Sequence, residues 1–190
     1  RLSHNTDVQS LDVDVGFEIP FLDVSDTDTS ELVKFNRLDP STDWLLFQWS
    51  GSYSFYLEPL LTPTRWRNWD PENPSTWPVP THEVSLGLRG QYAFDDRLIP
   101  NYQQVAGGMY TVRGYPESVV AGDSLIIGTV EYRFHLPQAL GFEREPKPMF
   151  GDEPFRWKPQ GPYGRADWDL ILKAFVDAAR TDVSRADPAE

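Results

Sequence analysis

The chain has 190 residues, of which 39% are hydrophobic and 14% aromatic, and no cysteine. It can therefore bury a core, and disulfide frameworks, thiol catalysis and zinc-thiolate sites are excluded. Its 29 acidic residues against 17 basic ones give a net charge of -12, a surface that repels nucleic-acid phosphates and excludes nucleic-acid binding. Thirteen glycines and 17 prolines favour turns over long helices. No run reaches the ~18 apolar residues of a membrane helix, which removes helical insertion but leaves a membrane barrel open. The chain begins Arg1-Leu2-Ser3-His4, with no start methionine or signal segment, and is expected to be a piece of something longer.

Taken in order, Val13 to Phe21 alternates at period two and predicts a first strand. Asp23, Asp26, Asp28 and Glu31 follow in a polar loop whose spacing lacks the central glycine and terminal glutamate of a calcium loop. Trp44 to Leu61 is the first strong segment. Leu45, Phe47, Trp49, Tyr53, Phe55 and Leu57 fall on one face, and Gln48, Ser50, Ser52, Ser54 and Glu58 on the other. A soluble strand commonly has ~5–6 residues, whereas a barrel strand in a membrane needs about 9–11, apolar outside and polar inside. The length therefore points to a barrel wall.

Residues 62–80 are proline-rich and cannot form a central strand. Their Trp66, Trp69 and Trp77 suit either a membrane–water boundary or packing within the loop itself. Glu83 to Phe94 alternates again, with Val84, Leu86, Leu88, Tyr92 and Phe94 opposite Ser85, Gly87, Arg89 and Gln91. Residues 95–123 are a long connection, of the kind that is usually functional or disordered. It carries Gly107-Gly108-Met109-Tyr110-Thr111-Val112-Arg113-Gly114-Tyr115-Pro116. Ser124 to His135 resumes the pattern, with Val130, Tyr132 and Phe134 against Thr129, Glu131 and Arg133. After a Pro-, Gly- and charge-rich stretch, 136–167, the last strand is predicted over Trp168 to Ala179. Trp168, Leu170, Leu172, Ala174 and Val176 would face outward, and Asp169, Lys173, Phe175 and Asp177 inward. Thr181 to Glu190 reads as an unstructured tail.

Gly122-Asp123-Ser124-Leu125 matches the short signature of one esterase family, but a nucleophilic serine needs a base and an orienting acid. None of His4, His82 and His135 has an aspartate three residues earlier, so no enzyme is expected. The same histidines lack metal-like spacing and default to surface or interface positions. Glu131, Arg133 and Asp177 lie on polar strand faces, which in a barrel point into the lumen. Unpaired charges buried there cost several kcal/mol, and Arg113 of the long connection is the obvious cation to enter; from spacing alone, a solvated loop Arg113 and a solvated wall Asp177 are the other reading.

Three motifs then stand in order: Val112-Arg113-Gly114-Tyr115 in the long connection, Gly128-Thr129-Val130-Glu131-Tyr132-Arg133 on the next strand, and Phe175-Val176-Asp177-Ala178-Ala179 on the last. With Gly107-Gly108 and Gly122-Asp123, they resemble the C-terminal barrel of two-partner secretion transporters, the haemolysin-activator family. That family lies within the outer-membrane assembly-factor superfamily of bacterial surface antigens. The likeness covers roughly residues 83–180, and Trp44 to Leu61 resembles an earlier barrel strand. Ala179 departs from the motif's glycine, and 136–167 is longer than a tight periplasmic turn.

The resemblance implies an all-β fold: part of a transmembrane antiparallel barrel of about 16 strands, of which residues 1–190 would supply about five or six. The long connection 95–123 would insert into the lumen. It implies a bacterial outer-membrane pore that passes an unfolded secreted partner protein, with outer-membrane lipid around it and no cofactor. An assembly factor for nascent outer-membrane proteins shares these motifs, and a passive porin or receptor barrel is a further alternative. Arg113 would bond Asp177, Phe175 would pack on the loop tip, and Glu131 and Arg133 would shape the wall with Gly128. Gly107, Gly108 and Gly114 would let the loop turn tightly. An open piece of such a barrel would expose an edge and an apolar face, and is not expected to be stable alone in water.

Overall fold

The computed structural model describes residues 1–19, 37, 40–148 and 153–185. Six strands form one antiparallel sheet in chain order: β1 (Leu2–Asn5), β2 (Gln9–Glu18), β3 (Leu46–Tyr56), β4 (His82–Tyr92), β7 (Ser124–His135) and β10 (Ile171–Asp182). Two short hairpins stand apart from it, β5 (Gln104–Ala106) with β6 (Val120–Gly122), and β8 (Lys147–Pro148) with β9 (Pro154–Phe155). The sheet is open, with β1 and β10 at its edges. No helix among the described residues is long and apolar enough to cross a membrane.

Five of the six strands have ten to twelve residues, and alternation at period two gives each one polar and one apolar face. β7 is the spine. Its Glu131 lies opposite Ser85 of β4 on one side and Phe175 of β10 on the other. Following that register across the sheet puts Asp12, Ser52, Gly87, Thr129 and Asp177 in one row on the inner face. Leu11, Tyr53, Leu86, Val130 and Val176 share a row on the outer face.

The outer face is apolar and, among the described residues, uncovered. Aromatic side chains collect at both of its ends. Phe17, Phe47 and Trp49 are stacked or tilted together at one end, 5.0 and 5.4 Å apart, and Tyr92 meets Phe94 there at 4.8 Å. At the other end Tyr53 stacks on Phe55, and His82 lies against Tyr132 and Phe134. Between these belts the rows are aliphatic or small, with Val13, Leu88, Gly51 and Gly128 opposite one another.

The buried core lies on the inner side, between the sheet and the long connection. Trp44, Leu46, Ala93 and Leu98 form one cluster, and Ala106, Val112, Leu125 and Ile127 a second. The second cluster ties the long loop to β7 directly, since Ala106 and Val112 come from the loop. Trp44 also packs on Tyr102 at 4.4 Å.

Strand bounds differ from expectation where prolines and loop packing intervene. The first strand runs over Gln9–Glu18, further toward the N-terminus than predicted, because a tight turn at Thr6 pairs it with the unforeseen β1. Pro20 and Phe21, like Asp23, Asp26, Asp28 and Glu31, lie outside the described residues. β3 stops at Tyr56 because Pro59 starts a short helix, α1 (Glu58–Leu61), followed by α2 (Pro63–Arg67). β10 begins at Ile171, not Trp168, because Trp168 is held in the preceding connection, where its Nε1–H donates to the Trp157 carbonyl at 2.8 Å. It also continues to Asp182, so Thr181 and Asp182 are strand rather than tail.

The connections at the α1 end are folded. The 57–81 segment meets the connection that follows α3 (Leu136–Ala139) through Trp77 and Phe142, 5.2 Å apart at a steep angle. Trp77 is buried and donates from Nε1 to the Asp70 carbonyl. The Trp77 ring thus packs against the connection 140–161 rather than on its own loop, to which, among the described residues, only its Nε1–H is tied.

Candidate functional site

The long connection leaves β4 through Phe94 and Asp95, both at positive φ (49° and 68°), and folds back over the inner face. Its tip is compact. Gly107, Gly108 and Gly114 have φ of 114°, 94° and 93°, a region where a side chain is strained. At Gly107 a Cβ would also stand 2.3 Å from the Pro116 carbonyl oxygen. The Thr111 hydroxyl donates to the Gly107 carbonyl at 2.6 Å and accepts from the Gly107 N–H at 2.7 Å. Arg89 of β4 reaches over from the wall and donates to the Tyr110 carbonyl at 2.8 Å.

This fold delivers Arg113 to the inner wall. Its Nε and Nη2 donate to the two oxygens of Asp177 at 2.7 and 2.9 Å, and its own backbone N–H donates to the same carboxylate at 3.0 Å. Nη1 donates to Glu131 at 2.7 Å. The guanidinium carbon sits 3.5 Å above the centre of the Phe175 ring. The fork thus satisfies two carboxylates at once and stacks on an aromatic face, which a lysine could not reproduce. Hydrogen bonds to Asp177, and then to Glu131, hold the Arg113 guanidinium well above its ordinary pKa. The Asp177 side chain is only 2% exposed, so removing its partner would strand a buried charge at a cost on the order of 3 kcal/mol.

The contact is one end of a longer ionic chain. Arg133 donates to Glu131 at 2.6 Å and to Glu83 at 3.1 Å, and Glu83 meets His135 Nε2 at 2.8 Å. Lys173 stands 3.4 Å from Glu131. Alternating signs therefore run along the inner face from Asp177 and Arg113 at the loop tip through Glu131 and Arg133 to Glu83. A groove of about 410 Å³, lined by Asp12, Asp14, Ser50, Ser52, Arg89 and Tyr110 among others, separates the loop from β2 and β3.

The structure brings Arg113, Asp177, Glu131, Phe175 and Arg133 together. Val112 is buried in the core cluster beneath the tip, while Tyr115 is exposed. Gly128 does not belong with them. It lies on the outer face with Leu88 opposite, and nothing lies within 4 Å of where its Cβ would be. Even positions of β7 face away from the loop, so the glycine shares the motif but not the site. Ala179, where the motif has glycine, is exposed, and the Arg113 contacts are complete beside it.

His135 is buried against Glu83 rather than at the surface, and His82 Nδ1 lies 2.6 Å from the Tyr132 hydroxyl. The Ser124 hydroxyl accepts from the Ala93 N–H at 3.0 Å. Glu83 and His135 come from different strands, and no spacing within either one signals their pairing. A second buried ion pair, Arg37 with Asp123, also had no spacing signal, although Gly122-Asp123 drew attention through the family likeness. The chain matches no protein-family model, no curated protein and no solved structure.

Proposed function

We propose that this chain is part of an outer-membrane β-barrel that translocates an unfolded partner protein, with the Arg113 loop latched inside its lumen. The observation that carries the reading is the Arg113 contact itself. A loop arginine crosses to the inner face of a sheet whose other face is apolar, and it is met there by two carboxylates and an aromatic ring. A soluble sandwich has no reason to leave Val15, Phe17, Leu88, Val130, Leu172 and Val176 exposed on one continuous face.

A bilayer supplies that reason. From His82 to Tyr92 the strand runs about 33 Å at ~3.3 Å per residue, or about 25 Å of height once tilted as barrel strands are. That matches the apolar band of outer-membrane barrels, and the aromatic belts fall at its two margins. The order of the three motifs and their likeness to two-partner secretion transporters favour secretion of a partner protein. The small hydroxyl-bearing wall of β3 offers a sliding extended chain few grips, and folding of the partner on the far side could drive its movement.

The test is Arg113→Ala in the full-length protein, scored by partner secretion at matched barrel abundance. The reading expects secretion to fall severely while the barrel is still inserted. Unchanged secretion removes the role of the loop.

A further inference from the structure

The tip is one attachment of the long loop, and a second lies at its root. Asp123 is fully buried and stands between β6 and β7. Its carboxylate accepts from both terminal nitrogens of Arg37, the Nη2 contact being 2.5 Å. It also accepts from the Leu98 N–H and the Gln103 amide, each at 3.2 Å, and from the Ser184 N–H at 2.8 Å. The Asp123 N–H in turn donates to the Asp182 carbonyl at 2.9 Å, and its carbonyl accepts from Gln91.

These donors come from separate parts of the chain. Arg37 precedes β3, Leu98 and Gln103 lead into β5, and Ser184 follows β10. Around the hub, Arg37 also donates to the Leu98 carbonyl, and Arg97 donates to the Ser184 carbonyl at 2.9 Å and bonds Ser41 at 3.0 Å or less. A single carboxylate therefore gathers three connections at the end of the sheet where the loop begins and ends. Burial alone would raise its pKa, but Arg37, the Ser184 N–H and Gln103 outweigh burial and hold it below the ordinary carboxylate value. The hub shares no side chain with the Arg113 contact, and the exposed Val105, Val119 and Val120 separate the two along the loop.

The geometry points to Asp123 as a positioning residue that fixes the loop's root and the connections gathered beside it, independently of the Arg113 latch that fixes its tip. The inference rests on the proposed reading of the loop as a lumen element and adds that releasing the tip leaves the loop tethered. An opening movement then swings the segment 107–116 about a fixed β5–β6 hairpin and does not expel the whole loop.

The experiment is pulsed electron-spin distance measurement on the full-length protein in lipid bilayers. One pair of labels joins Val120 at the root to Val176 on the outer face of β10, and another joins Tyr110 at the tip to Val176. These 190 residues contain no cysteine to compete with the introduced ones. Asp123→Asn is expected to broaden the Val120–Val176 distribution about twofold or more and leave the tip pair narrow, and Arg113→Ala to do the reverse, since local openings differ in cost from site to site. Arg37→Gln, which spares the aspartate's other donors, is expected to reproduce the root effect and serves if Asp123→Asn does not fold. A root pair unmoved by both changes overturns the inference, as does any single change that broadens both pairs together. Partner secretion is scored in the same strains. Secretion indifferent to all three variants, with the label pairs still separating, counts against the translocator reading and leaves the two attachments standing.

Discussion

The two faces of one sheet show how differently the same strands can be used. The inner face carries hydroxyls, glycines and a chain of alternating charges, and its buried apolar clusters form only where the long loop covers it. The outer face has no covering element among the described residues, yet it holds aliphatic side chains in the middle and aromatic rings at both ends. Alternation at period two separates the faces completely, so each can be tuned to its own surroundings without cost to the other. What distinguishes them among the described residues is that the loop packs on one and not on the other.

The comparison can be broken most strongly with one charge. Leu88→Arg places a cation midway between the aromatic belts, where the lipid side of a barrel loses about 2–4 kcal/mol. Folded, inserted protein should fall sharply by heat-modifiable gel mobility. The same arginine at Ser52, on the inner face of the neighbouring strand, should leave insertion near the parental level. Equal damage at both positions would contradict the assignment of faces.

A smaller effect is expected from the loop that covers the inner face. Gly107→Ala meets a positive φ and the Pro116 carbonyl, and should destabilise the tip by about 1–3 kcal/mol. Protease cleavage between Met109 and Tyr115 should rise while insertion is unchanged. Phe175→Leu keeps the volume under Arg113 but removes the ring, a loss of about 0.5–2 kcal/mol. It should loosen the tip less than Arg113→Ala does in the same cleavage assay.

The smallest effect is one of pH. The folded pKa of Asp123 is lowered, so its contribution is complete above the ordinary value of about 3.9 and is lost as pH falls through the lower folded value. Between pH 7 and 5 the root of the loop should not respond, and only below about pH 4 should the Val120–Val176 label distance broaden.

Much of this arrangement was legible in the sequence, and the rest was hidden for definable reasons. Period two gave the faces of β3, β4 and β7 because each is long and strictly alternating, and Ser124 to His135 was bounded to the residue. The Arg113–Asp177 contact was anticipated through the family likeness of the three motifs, since the spacing of these charges alone suited a solvated arginine and a solvated aspartate equally well. Register between strands, however, is not written in either strand alone, so the meeting of Glu83 with His135 could not be foreseen. The Arg37–Asp123 pair spans residues with no shared periodicity, and the start of β10 depended on Trp168 being retained by Trp157 across a connection. Gly128 is the instructive failure. A motif keeps neighbours in sequence, but a strand sends adjacent residues to opposite faces.

The most direct measurement follows one strand through both environments. Spin labels placed singly at positions 126 to 133 of the full-length protein in lipid bilayers would be scored for collision with oxygen, which partitions into lipid, and with a water-soluble nickel complex. The account predicts oxygen access at 126, 128, 130 and 132 and low oxygen access at the odd positions, a clean period of two. Even positions shielded from oxygen, or a protein that stays in the soluble fraction, would contradict the claim that the uncovered apolar face belongs to the membrane.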